Sequence, residues 1–151
     1  MEQSRDSRKI RCSPEDIKPN AAVLGYGAAK NSMIVEGEDV YVPPMLGKIA
    51  REKASQLEFV DYIGTHTPPL FIWHNRYDKY VPAIQPLMMA QRMQELNLPY
   101  ELHIFQQREH GMSVANRLSR NHLKNESETS NVDKWVEMCV TWILEVLVKH
   151  N

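Results

Sequence analysis

The sequence predicts an α/β domain built on a small parallel sheet, and three observations carry that expectation. Strand-length apolar runs stand at residues 21–26, 69–74 and 100–105. The stretches between them have helical periodicity, the pattern of βαβ units with parallel pairing. The chain then closes on a long amphipathic helix over residues 132–149. The 151 residues are 42% hydrophobic and 25% charged, the composition of an ordinary globular domain.

Taken in order, residues 1–12 are polar and expected to fray. Ser13-Pro14-Glu15-Asp16 has a capping serine, proline at the first position and acids in the first turn, which predicts a helix start. Pro19 limits it to a single turn. Ala21 to Tyr26 is continuously apolar, as expected of a strand with both faces covered. Left at a sheet edge, such a strand invites pairing with another chain. Residues 27–45 read as irregular, punctuated by Gly37 and Pro43-Pro44, and Gly47 to Glu58 as a modest amphipathic helix. Thr67-Pro68-Pro69 forces an extended approach to Leu70–His74. Ala83 to Leu96 is helix-forming and Asn97-Leu98-Pro99 ends it. Tyr100 to Phe105 is the third strand, and residues 118–131 are a polar linker. In the last helix Val132, Trp135, Val136, Cys139, Trp142, Ile143, Val146 and Leu147 form one apolar stripe, capped by Ser130 or Asn131. Two tryptophans on that stripe predict packing against something large. The domain is expected over residues 13–149.

Charge and cysteine usage exclude several classes. With 18 basic against 19 acidic residues, no electrostatic footprint for nucleic acid or an acidic membrane exists. No apolar stretch approaches ~18 residues, so nothing is expected to span a bilayer. Cys12 and Cys139 are far apart and unpatterned, which predicts free thiols in a reducing, cytoplasmic compartment. Met1 to Lys9 has no apolar core of a signal peptide, although an upstream half would carry any signal of its own. Asn125-Glu126-Ser127 matches a glycosylation sequon, a pattern common by chance.

The candidate chemistry lies in two loops. Leu70–His74 runs into a polar loop carrying Asp78, with Val81-Pro82 three residues on. Tyr100–Phe105 runs into a loop carrying His110-Gly111. In an open parallel sheet functional groups gather beyond the carboxyl ends of the strands, and these two would lie on adjacent strands. A histidine can take a nucleophile's proton and return it to the leaving group, while a carboxylate orients the ring and stabilises its charged form. Gly111 permits a tight bend after the histidine. Singly, Asp78 reads as a turn or helix-start residue and His110 as a solvated loop histidine. Together, in that order and placement, they read as the acid and base of a Ser-His-Asp site, whose nucleophile would come earlier in the chain.

No nucleophile is found. The sequence contains no G-x-S-x-G, and no cysteine or aspartate version of it. Ser32 lacks the glycines of a strained elbow, Ser13 precedes the first strand without an elbow, Ser113 stands three residues beyond His110 and is not oriented by it, and no His-Gly-Gly oxyanion motif is present. Of the other histidines, His74 and His103 are expected to pack within strands, and His66, His122 and His150 lack ligand spacing, so no metal and no cofactor is expected. Met88, Met89, Met93, Met112 and Met138 read as core or loop filler.

Several of these stretches resemble one family. Ser13 to Tyr26, Thr67 to His74 with Asp78-Lys-Tyr-Val-Pro82, Tyr100 to Phe105 with His110-Gly111, and Trp135-Val136 with Trp142-Ile143 are similar to the C-terminal half of acetylesterase-like α/β-hydrolases. That branch is also called acetyl-xylan-esterase-like or xylanase-B-like and is related to dienelactone hydrolases. The resemblance runs from about Ser13 to Leu147. It implies a partial α/β-hydrolase fold containing strands six to eight, Asp78 and His110 as catalytic acid and base, and a nucleophile-bearing half of roughly a hundred or more residues elsewhere. The implied parent cleaves short acyl esters, and this chain by itself is expected to be inactive. Two departures stand out: Tyr26-Gly27 where Tyr-Pro is common, and Glu109, a neighbouring carboxylate, where a small residue is usual. The implied rivals are a dipeptidyl-peptidase-like or dienelactone-hydrolase-like parent, and a non-catalytic or complementing subunit. For the last, the strand at 21–26 would pair with another chain or a second copy.

Overall fold

A computed structural model describes residues 13, 15–30, 56, 58–106, 110–114 and 131–149. The expected helix over Gly47–Glu58, the irregular stretch after Lys30, the linker before Asn131, and residues Cys12, Ser32, Glu109, His122 and His150 fall outside them, wholly or nearly so.

Three strands form one parallel sheet in the order β1-β2-β3: β1 (Ala22–Gly25), β2 (Leu70–Asn75) and β3 (Tyr100–Phe105). Leu70 is in register with both Ala22 and Tyr100, and Trp73 with Gly25 and His103. The pairing outlasts the ladder, since the Arg76 amide donates to the Phe105 carbonyl at 2.7 Å. All six residues of β2 are buried, as befits a central strand with continuous apolar character. β1 differs from its expectation. As an edge strand it has alternate burial, and Val23 is 41% exposed.

Before β1, the expected single turn is present as a 3-10 turn, Glu15–Ile17. Its cap is reciprocal: the Ser13 hydroxyl accepts from the Asp16 amide, and the Asp16 carboxylate accepts from the Ser13 amide and hydroxyl. Those two donors, the amide foremost, hold the Asp16 carboxyl below the usual carboxylate range.

Because side chains alternate across a strand, β2 feeds two cores. Leu70 and Ile72 pack with Met89, Ala90 and Met93 of helix α1 (Ile84–Glu95) and with Val60 and Ile63 around the 3-10 turn Phe59–Tyr62. Phe71 and Trp73 pack with Cys139, Trp142 and Val146 of helix α2 (Trp135–Lys149) on the opposite face. The result is a three-layer α/β/α arrangement. Helix α1 ends where expected, with Asn97 left-handed at φ 53°. The Leu98 amide reaches back to Met93 at 2.9 Å and the Asn97 amide to Gln94 at 3.1 Å, closing the orphan carbonyls.

The closing helix starts later than its periodicity suggests, because Asn131–Lys134 is wound as a 3-10 turn before the α-helix begins at Trp135. Its two tryptophans find the expected large partners. Trp142 meets Phe71 at 5.7 Å between centroids, and Trp135 stacks on Trp73 at 4.6 Å. Burial pushes the Cys139 thiol up, with Glu101 adding to the effect, so this cysteine is a packing group. Among the described residues no helix is long and apolar enough to cross a membrane.

Gly25 faces the Trp73 indole with no room for a side chain. A Cβ there would lie 2.7 Å from Trp73 Nε1 and 3.0 Å from its Cε2. The indole has little room to retreat, being 3% exposed and stacked on Trp135. Gly25→Ala is therefore expected to cost about 1–3 kcal/mol, read as a lower urea midpoint with unchanged slope. An unaltered midpoint would show that the β1–β2 contact is looser than this.

Candidate active site

Where β2 ends, the chain turns through Arg76 and Tyr77 and places Asp78 under the sheet's carboxyl edge. The Asp78 carboxylate is fully buried and uses both oxygens. Oδ1 accepts from the amides of Tyr80 (2.8 Å) and Val81 (3.0 Å), forming the local side-chain turn that aspartate favours. Oδ2 lies 2.7 Å from Nδ1 of His110, beyond the end of β3. A carboxylate this buried is costly unless its lone pairs are met, and these three donors meet them. The turn role and the partnership with histidine were alternatives in the sequence, and here one residue does both. Helix α1 begins only after Ala83, so Asp78 does not open it.

The histidine is presented differently. Its side chain is 34% exposed. With Nδ1 donating to the carboxylate, the neutral ring carries its lone pair on Nε2, the state a general base requires. Among the described residues nothing hydrogen-bonds Nε2. Gly111 has φ 69°, the left-handed bend that its place after the histidine suggested. Met112 then buries as an anchor against Phe71 and Trp73, and Trp135 Nε1 donates to the Ser113 carbonyl at 3.0 Å.

His74 sits inside strand β2 as expected, with no exposed surface, but it does more than pack. Its Nε2 donates to the Val81 carbonyl at 2.7 Å and stands 3.6 Å from Asp78 Oδ2. Both backbone polar groups of Val81 are thus held, its amide by Asp78 and its carbonyl by His74. Among the described residues, the buried Nδ1 of His74 has no hydrogen-bond partner. Burial is the main cause that lowers its pKa; the Val81 carbonyl and Asp78 oppose the shift, and His110 adds to it. His103 also lies within its strand, half-buried and 2.6 Å from Glu101 on the same sheet face.

Two further contributors were given no role at the site from sequence. Gln85, fully buried on α1, accepts from the amides of Ala29 and Lys30 and donates to the Lys30 carbonyl, tying the chain after β1 to the helix. Tyr26, at the end of β1, accepts from Met112 N and Asn75 Nδ2, both at 3.3 Å. A tyrosine between two glycines at a strand end was the available signal. Among the described residues no three His, Cys, Asp or Glu side chains converge as metal ligands.

The model of the prolyl oligopeptidase family matches residues 20–146. A xylanase B of Butyrivibrio fibrisolvens is 25% identical over 100 residues, 66% of this chain and 15% of that protein. A sugar hydrolase of Lactococcus lactis superposes with a TM-score of 0.69 at 26% identity, over 92% of this chain and 52% of that one. A carboxylesterase of Lactobacillus plantarum does so at 0.67 and 20% identity, over 83% and 44%. The fold is that of α/β-hydrolases, and the resemblance to the xylanase-B-like branch holds. The chain spans about half the length of these solved structures and a smaller part of the xylanase.

His74 has a consequence for stability. Its folded pKa lies below the ordinary 6.5. Above that value it is neutral whether folded or not. Below it the unfolded chain takes up a proton that the buried ring refuses, so stability falls as pH drops. Urea midpoints are expected to decline from about pH 7.5 to pH 5.5, and His74→Gln to flatten that decline. Parallel pH profiles for the two proteins would count against the assignment.

Proposed function

The chain belongs to the prolyl oligopeptidase family, and from that premise we propose that it supplies the acid and base of a serine carboxylic-ester hydrolase acting on short acyl esters. Asp78 is the orienting acid and His110 the general base, then acid. The 2.7 Å contact between His110 Nδ1 and Asp78 Oδ2, beyond the ends of adjacent parallel strands, carries the reading.

The reaction assigned to this pair is acyl transfer. His110 Nε2 accepts the proton of a serine hydroxyl as that oxygen bonds to the ester carbonyl. The tetrahedral intermediate collapses, the C–O bond to the alcohol breaks, and Nε2 returns the proton to the departing alkoxide. Water then repeats the sequence and releases the carboxylic acid. Asp78 keeps the ring in one tautomer and stabilises the imidazolium formed at each transfer. The serine is not among these 151 residues in any G-x-S-x-G setting, so it comes from a complementing segment. β1 is the strand positioned to receive that segment, since within the described sheet only β2 pairs with it. Support for an ester comes from the carboxylesterase likeness, and for a carbohydrate partner of the acyl group from the xylanase B and sugar hydrolase likenesses. A second reading, amide hydrolysis, rests on the family's description as prolyl oligopeptidases. A complementing, non-catalytic subunit seated through β1 is the third.

The purified 151-residue chain is expected to give no saturable hydrolysis of p-nitrophenyl acetate. Co-expressed with a segment bearing an elbow serine, it should give turnover that Asp78→Asn lowers by about 10⁴-fold, as loss of the orienting acid does in serine proteases. Saturable activity of the chain alone that His110→Ala abolishes would overturn the reading. Preference of the complemented protein for a peptide p-nitroanilide over the ester would favour the second.

A further inference from the structure

Two backbone conformations at the site run against residue preference, that of Ser113, with φ 53°, and that of Tyr26. Tyr26 closes β1 with φ 58°, the left-handed region that side chains other than glycine and asparagine rarely adopt. It stands between Gly25 and Gly27, either of which could turn without steric cost, yet among the described glycines only Gly111 has positive φ. A glycine at position 26 would reverse the chain equally well. What it would lack is the phenol, so the direction of that side chain is what the strained turn secures.

The phenol reaches two elements at once, strand β2 and the histidine loop. Its ring meets Trp73 of β2 edge-on at 4.6 Å and lies 5.0 Å from the His110 ring. Its oxygen accepts from Asn75 Nδ2, at the end of the acid's strand, and from the Met112 amide, two residues beyond the histidine. Asn75 Nδ2 also lies 3.2 Å from Met112 Sδ. The loop 110–112 is therefore fastened by Asp78 on the imidazole, by Tyr26 on the Met112 amide and by Asn75 on the Met112 sulfur. A rotatable ring held by one carboxylate contact keeps a hinge behind it. Fixing the amide at Met112 removes that freedom, which is how supporting contacts hold a catalytic group to fractions of an ångström.

We infer that Tyr26 is a positioning residue, which seats the His110 loop against the acid strand through its hydroxyl and touches neither substrate nor nucleophile. The inference rests on the reading of Asp78 and His110 as acid and base. It assigns Tyr26→Phe a defined effect: the ring and its packing stay, the two hydrogen bonds go, and the histidine loses its registration on Asp78.

NMR of the full chain with labelled histidine tests both levels separately. Wild type is expected to show a low-field Nδ1 proton for His110 that Asp78→Asn removes; its absence from wild type would defeat the acid–base reading itself. With that signal present, Tyr26→Phe should broaden it and speed exchange of the Met112 amide about two- to tenfold. Met93→Ala, a core change on the far face of the sheet, should lower the unfolding midpoint and leave the signal intact. An unmoved signal in Tyr26→Phe, or equal loss in Met93→Ala, would overturn the assignment of Tyr26. Should Tyr26→Phe fail to fold, wild type still decides: a Met112 amide exchanging as fast as that of exposed Val114 contradicts the bond to the phenol.

Discussion

The burial of β2 on both faces is the constraint from which the rest of the structure follows. Its alternate residues supply the centre of both cores, Leu70 and Ile72 toward α1, Phe71 and Trp73 toward α2. Its two neighbours are aligned on it in parallel and in register. The acid loop emerges from the carboxyl end of this enclosed strand. Side chains that must meet within hydrogen-bond distance need supports that do not shift, and a close-packed interior provides them.

Around that end, polar groups are arranged in successive contacts. Asp78 makes its turn with one oxygen and holds His110 with the other. His74, one turn of chain back in the strand, grips the Val81 carbonyl and so closes the acid loop upon itself. It does so as a buried neutral ring, which avoids placing a second charge beside the carboxylate's partner. Tyr26 performs the corresponding service for the histidine loop from β1. All three strands therefore contribute to holding the Asp78–His110 pair, although only two of them carry it.

The same aromatic residues serve packing and site together. Trp73 is stacked by Trp135, touched edge-on by Tyr26 and approached so closely by β1 that position 25 has no space for a methyl group. Trp135 also donates to the Ser113 carbonyl, just past the histidine loop. Helix α2 thus braces the site from one face of the sheet while α1 closes the other.

The strands, their parallel pairing and the two main helices were legible in the sequence, because strand-length apolar runs and a 3.6-residue stripe report burial directly. The pairing of Asp78 with His110 was legible as placement, since both follow strands and both sit in loops. What periodicity does not encode is direction. That Asp78 would serve its own turn and the histidine at once depends on two oxygens pointing apart, which only the folded loop decides. That β1 would be half exposed depends on which strand lies in the middle, a matter of sheet order. His74 and Tyr26 read as strand filler because their polar atoms reach seven residues along the chain in one case and eighty-six in the other. Contacts over such separations exist only after the sheet has brought its carboxyl ends together, so tertiary structure alone could assign them.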